Sequence, residues 1–107
     1  MRRFAFTMKL KPGFESEYER RHNEIWPELS KLLLFAGVVD YSIFLDPKTL
    51  TLFAYQEVTD DFDDSTLPHQ PIMKKWWTHM ADIMETNPDD SPRTEELTEV
   101  FHMEGDK

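Results

Sequence analysis

The sequence predicts an α+β domain with element order βαββαβ. Three observations lead there. Strand-forming runs occupy residues 3–11, 38–46 and 50–59, with a weaker alternating run at 97–103. Apolar stripes at helical spacing fill the intervals after the first and third runs. The connection Asp46-Pro47-Lys48 between the two middle runs is short enough to make them a hairpin. This order is the split-βαβ, or ferredoxin-like, arrangement: four antiparallel strands carrying helices on one face.

Each element has a local cause. Phe4, Phe6, Met8 and Leu10 alternate with Arg3, Ala5, Thr7 and Lys9, the period of a half-buried strand, and Pro12-Gly13 ends it. Residues 14–36 read as helix, with Phe14, Tyr18, His22 and Ile25 along one face and Leu29, Leu32 and Leu33 continuing it. Pro27 has no N–H to donate and its ring clashes with the carbonyl of Asn23. A break is therefore expected at about 22–26, with a second helical piece starting at Pro27. Gly37 supplies the stop.

Val38 to Asp46 and Leu50 to Thr59 follow as the hairpin strands. Residues 60–71 are acidic and carry Pro68 and Pro71, so a loop is expected there. Residues 72–85 are expected to be helix, with Met73, Trp77, Met80 and Met84 as an apolar stripe and Ile72, Trp76 and Ile83 beside it. Asn87-Pro88-Asp89-Asp90-Ser91-Pro92 is a turn-rich break. Leu97 to Met103 is expected as the last strand and Glu104 to Lys107 as a polar tail. No internal repeat or linker divides the chain, so residues 1–107 read as a single domain.

Composition excludes several classes. The 107 residues are 39% hydrophobic and 13% aromatic, too apolar for a disordered chain. Twelve Lys and Arg against 21 Asp and Glu give a net charge of −9, which argues against a nucleic-acid partner. The excess is local: residues 1–53 carry 8 basic and 7 acidic side chains, residues 54–107 carry 4 and 14. No run approaches the ~18 apolar residues of a membrane span, and the N-terminal apolar stretch is too short for a signal peptide. Cysteine is absent, which rules out disulfides and thiolate chemistry and fits a reducing compartment. A cytoplasmic protein is the expectation.

Candidate chemistry concentrates in few places. Tyr18 and His22 are four apart and share a helical face. A phenol beside an imidazole suits hydrogen bonding and proton transfer, because His titrates near neutral pH; the plainer reading is a pair of core-edge residues with satisfied polar tips. Trp76 and Trp77 offer aromatic faces for stacking on the C–H face of a sugar, but adjacent helical residues point about 100° apart. Only one of them can stack while the other presents an edge, and both can equally be core. Tyr41 lies in the row Val39, Tyr41, Ile43 and can lend a hydroxyl at the sheet, or simply pack with a wet tip. His22, His69, His79 and His102 have no metal-ligand spacing. Asp60, Asp61, Asp63 and Asp64 lack the Gly and closing Glu of a calcium loop. Three glycines in the chain leave no phosphate cradle.

As a set, four blocks carry a resemblance: residues 17–29 (EYERRHNEIWPEL), residues 41–46 (YSIFLD), residues 76–80 (WWTHM) and residues 87–92 (NPDDSP). With them the chain, from about Arg3 to Met103, resembles the L-rhamnose mutarotase family, small dimeric proteins with a ferredoxin-like fold. The resemblance implies interconversion of the α and β anomers of L-rhamnose; positioned acid/base catalysis carries such a ring opening, so no cofactor and no metal is required. It puts the proton-donating histidine at His22 and the sugar-binding positions at Tyr18, Tyr41, Trp76 and Trp77. The departure is residues 60–71, which read more helically in the family; if they border the sugar, a related 6-deoxy sugar or another aldose becomes the substrate.

Apolar side chains on both faces of the strands predict a homodimer whose two sheets pack together as a dimeric α/β barrel. Two rival readings share the topology. One is a cofactorless oxygenase acting on aromatic substrates, whose pockets are more apolar than this set. The other is a dimeric sensor or interaction domain, with Trp76 and Trp77 in its core and the acidic loop docking a basic partner.

Overall fold

Alternation decides which side chains each strand turns inward, and pairing lines them up. The computed structural model describes residues 1–105; Asp106 and Lys107, the end of the expected polar tail, lie outside the described residues. The strands are β1 (Arg2–Lys9), β2 (Val38–Asp46), β3 (Thr51–Val58) and β4 (Glu95–Leu97). They form one sheet in the order β2-β3-β1-β4, with every neighbouring pair antiparallel. Cross-strand partners share a face. The inner face is therefore built of rows: Tyr41, Gln56 and Phe4, then Ile43, Ala54, Phe6 and Glu96, then Leu45, Leu52 and Met8.

The helices are α1 (Glu15–Asn23), α2 (Pro27–Ala36) and α3 (Pro71–Met80). The break between α1 and α2 falls where Pro27 requires it. Trp26, the residue before proline, is extended at ψ 131°, and Pro27 is the first residue of α2. Met8, Leu10, Tyr18, Leu29, Leu52, Ala54, Trp76, Met80, Ile83 and Met84 make the core between helices and sheet. Val38, Val58, Phe62 and Leu67 make a smaller cluster that pins the acidic loop down. That loop contains one short 3₁₀ turn, Leu67–His69.

Gly37 ends α2 at φ +113°, a left-handed conformation that costs other residues energy. Its N–H donates to the Leu34 carbonyl at 3.1 Å and its carbonyl accepts from the Thr59 N–H at 2.9 Å. A Cβ here would collide with the Thr59 hydroxyl. Gly37→Ala is expected to destabilise by more than ~1 kcal/mol, read as a lower urea midpoint at unchanged slope.

Two expectations need correction. The last helix ends at Met80, not at residue 85. Beyond it the chain pairs with the end of β1: Lys11 donates to the Ile83 carbonyl at 2.9 Å, and Glu85 donates to the Lys9 carbonyl at 3.0 Å. Ile83 and Met84 are buried all the same, so they continue the apolar stripe without continuing the helix. The last strand is Glu95–Leu97 rather than 97–103, pairing with Ala5, Phe6 and Thr7 of β1. After it Val100, Phe101 and Met103 run on at 92%, 78% and 75% exposure, outside any described strand. The outer sheet face is also open: the cross-strand pair Phe44 and Phe53 lies on it with Tyr55 and Leu97, and Phe44 is 68% exposed.

Candidate active site

Helical spacing carries Tyr18 and His22 to the same side of α1, but not as a phenol–imidazole hydrogen bond. The two rings stack, with centroids 4.3 Å apart and planes 28° apart. His22 Nδ1 lies 3.1 Å from the backbone carbonyl of Tyr18. A carbonyl only accepts, so Nδ1 carries the proton and Nε2 is the nitrogen left for other partners. Burial holds the His22 imidazole below its ordinary value of 6.5, and the bond to the Tyr18 carbonyl offsets this only in part.

α3 supplies the next wall. The Trp76 ring meets His22 edge-on, with centroids 5.4 Å apart and planes at 89°. It meets Trp26 in the same way at 5.1 Å and 86°, and His79 at 5.6 Å. Trp26 and His79 also contact each other at 5.4 Å. Trp76 is buried and Trp77 only half-buried. The buried face of α3 is thus centred on Trp76 and Met80 rather than on the row through Trp77.

Tyr41 comes from the inner face of β2, cross-strand from Gln56. It keeps 37% of its area; burial pushes its phenol up while Gln56 pulls it back. The Tyr18 phenol is raised as well, by burial first and then by the neighbouring Tyr41. Both phenols stay protonated across the physiological range and act as hydrogen-bonding groups.

Tyr18, His22, Tyr41, Trp76 and Trp77 all line one cavity of about 1520 Å³ between helices and sheet. That exceeds the ~300–1,000 Å³ of a typical small-molecule pocket, so it is a trough rather than a closed chamber. Gln56 and Glu96 lie on its floor, and Asn87, Asp89 and Ser91 of the turn-rich segment line its rim. Leu67 and Pro68 line it too, so the acidic segment does border the site. Sequence reasoning missed Gln56, although a polar residue in the inward row Leu52, Ala54, Gln56, Val58 was a readable signal. It also missed Trp26 and His79, which do not line the cavity but stand behind Trp76; nothing local marks that role.

The lowered His22 value has a sign that can be tested. An unfolded histidine binds its proton at the ordinary value and the folded one binds it less tightly. Stability is therefore unaffected well above pH 6.5 and falls as pH drops from there through the folded value. An NMR titration of the His22 ring protons is expected to give a midpoint below 6.5; a midpoint at or above 6.5 contradicts the burial argument.

Fold and site together define a class: a small α+β protein that holds one imidazole, with a fixed tautomer, in an aromatic trough furnished with neutral hydroxyl and amide groups. The comparisons narrow it. The family model described as L-rhamnose mutarotase matches residues 3–103. An L-rhamnose mutarotase of Flavobacterium johnsoniae is 59% identical over 102 residues, covering 95% of each chain. One from Bacteroides thetaiotaomicron is 54% identical over 104 residues, covering 97% of this chain and all of the other. A crystal structure of L-rhamnose mutarotase from Formosa agariphila superposes with a TM-score of 0.90 at 51% identity, over 97% of this chain and 100% of that one. The chain belongs to the L-rhamnose mutarotase family.

Proposed function

We propose that this protein is a carbohydrate isomerase that interconverts the α and β anomers of L-rhamnose, with His22 as its acid/base group. The observation that supports it most is the convergence of Tyr18, His22, Tyr41, Trp76 and Trp77 on one trough in a chain of this family. A neutral sugar has apolar C–H faces and a rim of hydroxyls. An indole face suits the first, and phenol, amide and indole N–H groups suit the second.

Mutarotation breaks and remakes one bond. A proton reaches the ring oxygen, the bond from C1 to that oxygen breaks, and the anomeric hydroxyl loses its proton as C1 becomes a carbonyl. Rotation about the C1–C2 bond presents the other carbonyl face, and closure reverses the proton movements. With Nδ1–H committed to the Tyr18 carbonyl, Nε2 is the atom that transfers. The imidazolium gives its proton to the ring oxygen on opening, and the neutral ring takes it back on closing. The anomeric proton passes to water, which the open trough admits. The reaction already proceeds in water, so the ~10²–10⁴-fold of a positioned acid/base is enough. Trp77, half-buried at the trough, is the stacking face; Tyr18 and Tyr41 hold hydroxyls. Because Leu67 and Pro68 border the trough, a related 6-deoxy sugar is the second reading. Saturation-transfer NMR across a panel of 6-deoxyhexoses ranks the substrates. L-Rhamnose is also expected to perturb tryptophan emission; unchanged emission and an exchange rate equal to buffer contradict the proposal.

The strand order β4-β1-β3-β2 supports a ferredoxin-like fold, with residues 1–107 as one domain working in the cytoplasm on a monosaccharide. No described helix is long and apolar enough to cross a membrane. A second copy of the chain covers the outer sheet face around Phe44 and Phe53, giving a homodimer with the two sheets packed together. Sedimentation at micromolar concentration is expected to give the dimer mass, and Phe44→Glu to shift it toward monomer. A stable wild-type monomer contradicts this.

A further inference from the structure

Among the described residues, the one next to His22 makes the most connected polar contact. Arg21 Nε donates to Glu17 Oε2 at 2.7 Å, one turn back on α1. Its Nη1 donates to the His79 carbonyl at 2.6 Å and to Asp82 Oδ1 at 2.8 Å, and its Nη2 reaches Asp82 Oδ2 at 3.3 Å. The Arg21 side chain is only 12% exposed, unlike the neighbouring Arg20 at 57%, whose partners Glu17 and Glu24 lie within one turn along the chain.

Both ends of this contact matter. α1 is nine residues long and has no side-chain cap at its N-terminus. Helices that short depend on tertiary contacts for their position. On the other side, the His79 carbonyl belongs to the last turn of α3, where carbonyls lack helical partners and the helix dipole is negative. A guanidinium there satisfies an orphan acceptor and neutralises the dipole. α3 also carries Trp76, one turn back from His79. Two links therefore join α1 to α3 side by side: the His22–Trp76 ring contact at 5.4 Å, and the guanidinium clasp from the adjacent residue.

We infer that Arg21 is a positioning residue: its fork ties α1 to the C-terminal end of α3 and so fixes the His22 imidazole against Trp76. The inference rests on the reading of His22 as the acid/base group. A lysine keeps the charge but cannot serve Glu17, the His79 carbonyl and Asp82 in one planar fork. Misplacement of a reacting group by ~1 Å costs roughly 10²-fold in rate.

The test uses the full chain and L-rhamnose anomer exchange by NMR. Arg21→Lys is expected to remain folded and to lower kcat ~10–100-fold with KM changed less than ~3-fold. The His22 titration midpoint is expected to move up toward 6.5 as the ring loosens. Asp82→Asn, which leaves the His79 carbonyl contact in place, is expected to lose less. In a His22→Ala background, Arg21→Lys is expected to cause no further loss. A wild-type kcat in Arg21→Lys, or a lower melting temperature with kcat and the His22 titration unchanged, overturns the inference. So does an equal further loss in the His22→Ala background. Full activity of His22→Ala would instead overturn the reading of His22, while the His22 titration in Arg21→Lys still reports on the clasp.

Discussion

His22→Ala is expected to lower the protein's acceleration of rhamnose anomer exchange by ~10²–10⁴-fold, the contribution of one positioned acid/base group. In barrier terms that is about 3–5 kcal/mol. Tyr18, Tyr41, Trp76 and Trp77 remain, so sugar binding should persist and KM should change far less than kcat. The fold should persist too, because the lost contacts are a ring stack on Tyr18, a hydrogen bond to the Tyr18 carbonyl and an edge contact to Trp76 at the cavity wall. The pH profile supplies a second reading of the same residue. If the imidazolium is the working form, kcat/KM falls as pH rises through the lowered His22 value; a rate that rises through it instead makes His22 a base in the opening step.

Trp76→Ala carries the second large effect, and it falls on stability. Trp76 is buried in the main core and is braced by His22, Trp26 and His79. Truncating a buried tryptophan costs ~3–5 kcal/mol, a large share of the ~5–15 kcal/mol that holds a domain folded. The melting temperature is expected to fall by more than ~10 °C, with activity lost alongside. Trp77→Ala is the contrast. Half-buried and lining the trough, Trp77 should cost less than ~1 kcal/mol in stability and appear chiefly as a raised KM. Equal melting temperatures for the two variants would contradict this division of roles.

What could be read from the sequence followed the range of its signals. The break before Pro27, the stop at Gly37 and the hairpin at Asp46–Lys48 rest on local backbone chemistry, and each is present in the structure. The end of α3 depends on Lys9 and Lys11, about seventy residues away, which draw Ile83 to Glu85 into pairing; no pattern near residue 80 encodes that. The bounds of β4 likewise depend on a distant partner, Ala5 to Thr7 of β1. At the site, spacing four apart put Tyr18 and His22 together, but the partner of Nδ1 is a backbone carbonyl, invisible to side-chain patterns. Two adjacent tryptophans show only that they point apart. Which one is buried depends on Trp26 and His79 standing behind Trp76. No pattern in the sequence separates Arg21 from Arg20; the position of the end of α3 does.

This trough, through His22, is expected to exchange the anomers of L-rhamnose. Saturation transfer between the two anomeric proton signals of L-rhamnose measures that exchange directly, with buffer, wild type and His22→Ala compared at one pH. The expected result is fast transfer with wild type and transfer near the buffer rate with His22→Ala. Wild-type transfer no faster than buffer, or undiminished transfer with His22→Ala, would contradict it.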